Sequence, residues 1–233
     1  MPPILSQGGA LRFRTQVSGE EFKAELPKVV DDFFKLPPYT GRHDLYDLQT
    51  ETQKIYSPVA EDHYLRVKES AWDTARNDHN YPDAIGQMRT ALTALPEQGF
   101  DEHDSKAIRI FFLRRLGRIY EHWATFGEKD KQLDDPDRKA HFLLAAYNYM
   151  LGEIELGVMT EYSGRVSESL RGMGSFDLAS AFDRAFWGPN IAYISDNVDT
   201  QILKQKGSQT SSEQSGGAIV EGWIMDLPDV NLN

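Results

Sequence analysis

Cysteine is absent from all 233 residues, which excludes disulfides and thiolate metal sites together. The lack of thiols fits a reducing compartment, so a cytoplasmic location, or assembly into an intracellular particle, is expected. No apolar run approaches the roughly 18 residues that a membrane span requires. The opening Met1-Pro2-Pro3-Ile4-Leu5-Ser6 lacks the basic flank and apolar stretch of a secretion signal, and no membrane insertion is expected. Positive charge is also scarce, with 25 basic against 36 acidic side chains and a formal net charge of −11. A nucleic-acid binder must neutralise phosphates, so this balance argues against DNA or RNA as the main ligand.

The familiar catalytic signatures are missing as well. There is no glycine-rich phosphate loop, dinucleotide fingerprint or nucleophile elbow. None of the six histidines (His43, His63, His79, His103, His122 and His141) forms an HExxH motif, and no Glu precedes a His by three residues. His43-Asp44 and His103-Asp104 are similar to the dyad of metal-dependent HD-type phosphohydrolases. In that family the dyad sits in an apolar helix, whereas both copies here lie in polar, loop-like contexts. Solvated or helix-capping roles fit them better. No catalytic residue, metal ligand or cofactor is nominated.

What is present is mostly helix. Leu11 to Val17 alternates like a half-buried strand. Ser18 and Glu21 then make a capping box before Phe22, Leu26, Val29, Val30 and Phe33 at helical spacing. Pro27 lies inside that pattern, so a kink or restart is expected there. Residues 1–57 thus read as a strand, a capped helix and a connection. From Pro58 to about residue 204 the pattern is helical throughout, with helices expected near 58–75, 82–95, 104–126, 136–155, 159–171, 176–186 and 190–204. The fourth of these is apolar on nearly every side and should be buried among neighbours. Residues 205–217 have the composition of a flexible linker. Residues 218–233 form an apolar and acidic tail in which Trp223, Ile224, Met225 and Leu227 stand among Glu221, Asp226 and Asp229.

Consecutive helices invite a search for repeats. Ala84, Met88, Ala91 and Pro96 keep the spacing of a tetratricopeptide second helix, and Leu116-Gly117-Arg118-Ile119-Tyr120 reproduces the first-helix motif. Its partner helix follows late as Ala140, Leu144 and Tyr147, and Tyr162, then Leu178, Phe182, Ala185 and Pro189, make a weaker third copy. Residues 65–190 therefore resemble degenerate tetratricopeptide-like repeats. An insertion near residue 130 breaks the period of about 34 residues. The resemblance implies an all-α fold of antiparallel helical hairpins, as an ordinary helical bundle also would, and a protein-binding surface on the first helices. On the third helix, a rotation of 100° per residue sends Phe112, Leu116, Ile119, Tyr120 and Trp123 inward. It sends Arg114, Arg115 and Arg118 outward with Phe111 among them. Such a cluster suits an acidic, partly apolar peptide. The alternative, favoured by the abundance of acids, pairs these arginines with nearby carboxylates and packs Phe111 on a neighbour.

The expected function is a non-enzymatic adaptor or assembly factor whose partner is another protein or further copies of itself. Its candidate binding residues are Phe111, Arg114, Arg115, Arg118, Trp223, Ile224, Met225 and Leu227. A structural subunit of a virion or multi-subunit complex, using its termini as strand-adding arms, is a second reading. An HD-type hydrolase is a third and weaker one.

Overall fold

A computed structural model describes residues 19–37, 51–127 and 135–185. Those residues are predominantly helical and include no β-strand. The strand expected at Leu11 to Val17, the helix expected at 190–204, the linker and the tail lie outside them.

The first helix, α1 (Gly19–Phe34), runs through Pro27 as one element. A proline in a helix interior costs about 3 kcal/mol. Burial of Phe22, Leu26, Val29, Val30 and Phe33, at roughly 1.5–3 kcal/mol each, outweighs that cost. The helix α2 (Pro58–Arg76) starts on the Ser57 hydroxyl, which accepts from the Ala60 amide, with Pro58 in the first turn. The helix α3 (Tyr81–Ala94) is capped by Asn80 and runs into a 3-10 turn at Leu95–Gln98 that ends at Gly99. The longest helix, α4 (Glu102–Phe126), is capped by Asp101, whose carboxylate accepts from the Asp104 amide at 2.7 Å. It is followed by α5 (Asp135–Leu156) and α6 (Tyr162–Gly172). The described part of α7 covers 176–185.

The central element is α4. It packs most extensively on α5 and also contacts α2 and α3, while α5 in turn carries α1 and α6. Between α3, α4 and α5, Trp123 lies parallel to Tyr81 at 5.3 Å and has the His141 ring 3.9 Å away. Phe182 of α7 meets Phe33 of α1 at 5.1 Å and Phe34 at 4.7 Å.

Two helices approach as closely as α4 and α5 do only where a side chain is missing. A Cβ at Gly117 would stand 2.7 Å from Cε1 of Tyr149, well inside contact distance. Gly86, by contrast, sits exposed on α3 with nothing within 4 Å of its would-be Cβ. The two glycines should respond oppositely to the same change. Gly86→Ala should stabilise the fold by about 0.5–1 kcal/mol through helix propensity. Gly117→Ala gains the same term and loses about 1–3 kcal/mol to overpacking, so it should be net destabilising. Equilibrium urea unfolding of both variants checks this; a stabilised Gly117→Ala would show that α4 and α5 do not meet so closely.

Candidate functional site

Because α4 is packed against α2 and α3 and, most extensively, α5, with Arg114 and Glu121 also reaching Tyr162 and Arg165 of α6, much of its circumference is buried. Asp104, Ala107, Ile108, Ile110, Phe112, Leu113, Arg114, Leu116, Gly117, Ile119 and Tyr120 are all buried. Among the positions of α4 that stay partly or fully open are Phe111, Arg115, Arg118, His122, Thr125 and Phe126, which share a single face at helical spacing.

The three arginines are therefore not one cluster. Arg114 is only 3 % exposed and its partner Glu153 is fully buried, so Arg114 is removed from the expected surface patch. Its Nη2 donates to Glu153 Oε1 at 2.7 Å and to the Thr160 hydroxyl at 3.2 Å, and its Nη1 donates to Gln53 Oε1 at 2.8 Å. Its guanidinium lies 4.2 Å over the Tyr162 ring. Glu153 also accepts from the Thr160 amide, the Thr160 hydroxyl and the Ser163 hydroxyl. Burial pushes the Glu153 carboxyl above its ordinary value, and Arg114 and the Thr160 donors pull against that rise. Phe111 is half-buried and stacks on Tyr64 at 5.1 Å, so it packs on α2 instead of standing free among cations.

Arg115 and Arg118 do share a surface. Their guanidinium carbons lie 5.1 and 5.5 Å from the centroid of one ring, Trp72 of α2. The His122 ring meets Trp72 edge-on at 5.5 Å, and Phe126, 60 % exposed, lies 4.4 Å beyond it. Lys68, Trp72 and Arg76 form a stripe on α2 facing the α4 stripe, and Arg165 enters from α6. Together they line an open groove of about 810 Å³ with five basic residues and two acidic ones, Glu69 and Glu121. Glu121 is already engaged, accepting from the Tyr149 hydroxyl at 2.6 Å and pairing with Arg165 at 3.3 Å. Among the described residues neither Arg115 nor Arg118 has a carboxylate within 4 Å. Burial and the neighbouring Arg118 hold the Arg115 guanidinium below its usual value. A second groove, between α2 and α3, has one basic residue, Arg66, and one acidic residue, Asp83, among its lining with small polar and apolar residues, and has no comparable excess of charge.

The histidine-aspartate dyad on α4 is architectural. Asp104 is fully buried, and its carboxylate accepts from the Tyr56 and Ser57 amides at 2.7 and 2.9 Å. His103 Nε2 lies 2.8 Å from the Lys54 carbonyl oxygen. Together they pin the approach to α2 onto the start of α4. Among the described residues no three His, Asp or Glu side chains converge as metal ligands. His43 and the tail residues Trp223, Ile224, Met225 and Leu227 lie outside the described residues.

Sequence reasoning missed Trp72, Lys68, Arg76 and Arg165 as companions of the two outward arginines. A signal for the first three was available, since positions 68, 72 and 76 recur at intervals of four. The burial of Arg114 had a signal too: Glu153 is an acid in a helix apolar on almost every side, and such a charge needs a buried partner.

Two predictions follow from this geometry. Removing one member of the buried pair leaves an uncompensated charge, so Glu153→Ala should destabilise by about 3–5 kcal/mol. Arg114→Met combined with Glu153→Leu should lose much less than the two single changes summed, as measured by a double-mutant denaturation cycle. Unchanged stability in Glu153→Ala would contradict the pairing. The second concerns pH. Burial first, then His79, Arg76 and Arg118, hold His122 below its ordinary value of 6.5. The unfolded chain therefore takes up that proton more readily. The contribution of His122 is complete above about pH 6.5 and is lost as pH falls through the lower folded value. Thermal midpoints should decline from about pH 7 to pH 5, and more shallowly in His122→Gln; an equal slope in the variant would remove His122 from the account.

No family model matches this chain, and neither does any curated protein or solved structure compared with it.

Proposed function

We propose that the protein is a non-enzymatic adaptor or assembly factor that grips an acidic, partly apolar segment of another protein in the groove between α2 and α4. One observation carries the reading. Arg115 and Arg118 lean on a single tryptophan and repel each other without a described carboxylate between them, in a chain whose formal net charge is −11. Placing two like charges side by side is unfavourable unless an anion arrives to share them. Trp72 and Phe126 supply apolar surface beside the charge, which suits a peptide with aromatic or aliphatic side chains next to its acids.

The scaffold reading that accompanies this is a stack of antiparallel helix pairs of tetratricopeptide-like kind. Small buried residues support it: Ala71 and Ala75 on α2, Ala84 and Ala91 on α3, and Gly117 on α4. Such residues let neighbouring helices approach closely and leave a groove on the face they do not cover. Residues 127–136 stretch the spacing between α4 and α5, which departs from a regular repeat.

A fluorescein-labelled peptide alternating Asp or Glu with Trp or Leu tests the proposal by anisotropy. Binding should weaken as salt rises, and Arg115→Glu with Arg118→Glu should reduce affinity roughly tenfold or more, equivalent to at least 1.4 kcal/mol. Arg66→Glu, in the other groove, should leave affinity unchanged. A single-stranded oligonucleotide of equal charge that binds better than the peptide would reverse the choice of partner.

A further inference from the structure

We infer that the groove has an occupant within the same chain: the acidic segment 218–233, held in cis, which a partner's acidic peptide must displace. This rests on reading the groove as a site for acidic, partly apolar peptide, and adds how that site is regulated.

Charge and composition select the segment. The groove lining has five basic and two acidic residues, an excess of three positive charges with His122 neutral. Residues 218–233 carry Glu221, Asp226 and Asp229 and no Lys or Arg, an excess of three negative charges. They also carry Trp223, Ile224, Met225 and Leu227, the kind of side chains that the surface of Trp72 and Phe126 can cover. The other stretches outside the described residues match less well. Residues 1–18 hold Arg12 and Arg14 and no acid; 38–50 include Arg42; 128–134 include Lys129 and Lys131 and one large apolar residue, Leu133; and 186–204 end in Lys204. Leaving four large apolar side chains in water is unfavourable at about 25 cal/mol per Å², so a covering surface is required.

Reach does not limit the contact. Thirty-two residues, 186–217, separate the last described turn of α7 from the segment. Even wound entirely into helix, at 1.5 Å per residue, they would span about 50 Å. A chain of this length has a radius of gyration of about 17 Å when folded, so any face lies within range. Tethering favours the contact in cis, because a linker holds its ligand at an effective concentration that a free copy does not match in dilute solution.

The test uses the full chain. A carbodiimide, which joins an amine to a touching carboxylate with no spacer, should link Lys68 in the groove to Glu221, Asp226 or Asp229. In an equal mixture of nitrogen-14 and nitrogen-15 protein, those links should fall within one isotopic label. Replacing the three acids together (Glu221→Gln, Asp226→Asn, Asp229→Asn) should tighten binding of the labelled acidic peptide several-fold by vacating the groove. Absence of these links, with peptide affinity unchanged in the triple variant, overturns the proposal. Links between labels overturn the cis arrangement. The labelled peptide is the control for the groove itself: if it binds and links to Lys68 while the tail does not, the tail assignment fails and the groove reading stands. If neither links nor binds, both fail.

Discussion

The arrangement depends on one buried ion pair, Arg114 with Glu153. Taking either charge out of water carries a penalty of several kcal/mol, which hydrogen bonds to the remaining donors and acceptors offset. Here both Arg114 Nη atoms and both Glu153 oxygens are met, from several directions, while Arg114 Nε is buried without a partner among the described residues. Glu153 on α5 receives Arg114 from α4, Thr160 from the α5–α6 connection and Ser163 from α6, while Arg114 also reaches Gln53 ahead of α2. A hydrophobic contact tolerates small rotations, but this set of directional bonds does not. It fixes the rotation of α4 about its own axis. With 100° per residue, fixing Arg114 inward sends Arg115 and Arg118 toward α2.

Function in this account is thus a by-product of register. The same seven-residue stretch, Phe112 to Arg118, contributes core, a buried charge and an exposed charge on successive faces of a helix surrounded by neighbours. Gly117 belongs to the same logic: it allows Tyr149 to lie against α4, and the Tyr149 hydroxyl in turn donates to Glu121 at the edge of the groove. One of the two acids lining the groove, Glu121, is occupied by the scaffold, with Tyr149 and Arg165 as its partners. The electrostatics left over are positive, local and open, in a protein whose total charge is strongly negative.

How much of this was legible in the sequence follows from what each signal measures. Apolar periodicity located α2 to α6 to within a few residues, because burial sets that period directly. It also marked α5 as buried on most sides. Periodicity was weaker for α4, where a one-sided amphipathic model assigned Arg114 to solvent. A helix packed on two opposite sides has only a strip for its polar residues, and no local pattern announces that. Pairing Arg114 with Glu153 depends on two residues 39 positions apart. The helix does not restart at Pro27 but runs through it as one element, with five buried side chains on α1 to set against one lost hydrogen bond. The His103-Asp104 dyad, read as loop-like and solvated or capping, instead lies in the first turn of α4, where Asp104 is buried and holds two backbone amides of the segment before α2. Trp72 escaped notice because its importance lies in what crosses it from another helix.

The central claim is that neighbouring arginines on one helix have opposite fates, one locked inside and two presented for binding. Side-chain NMR of the arginine guanidinium groups in the intact protein, titrated with an acidic peptide, tests it most directly. The account predicts slowly exchanging Arg114 signals that do not move, with Arg115 and Arg118 signals shifting together and saturably. Arg114 moving with the others, or Arg115 and Arg118 staying fixed while the peptide binds elsewhere, would contradict it.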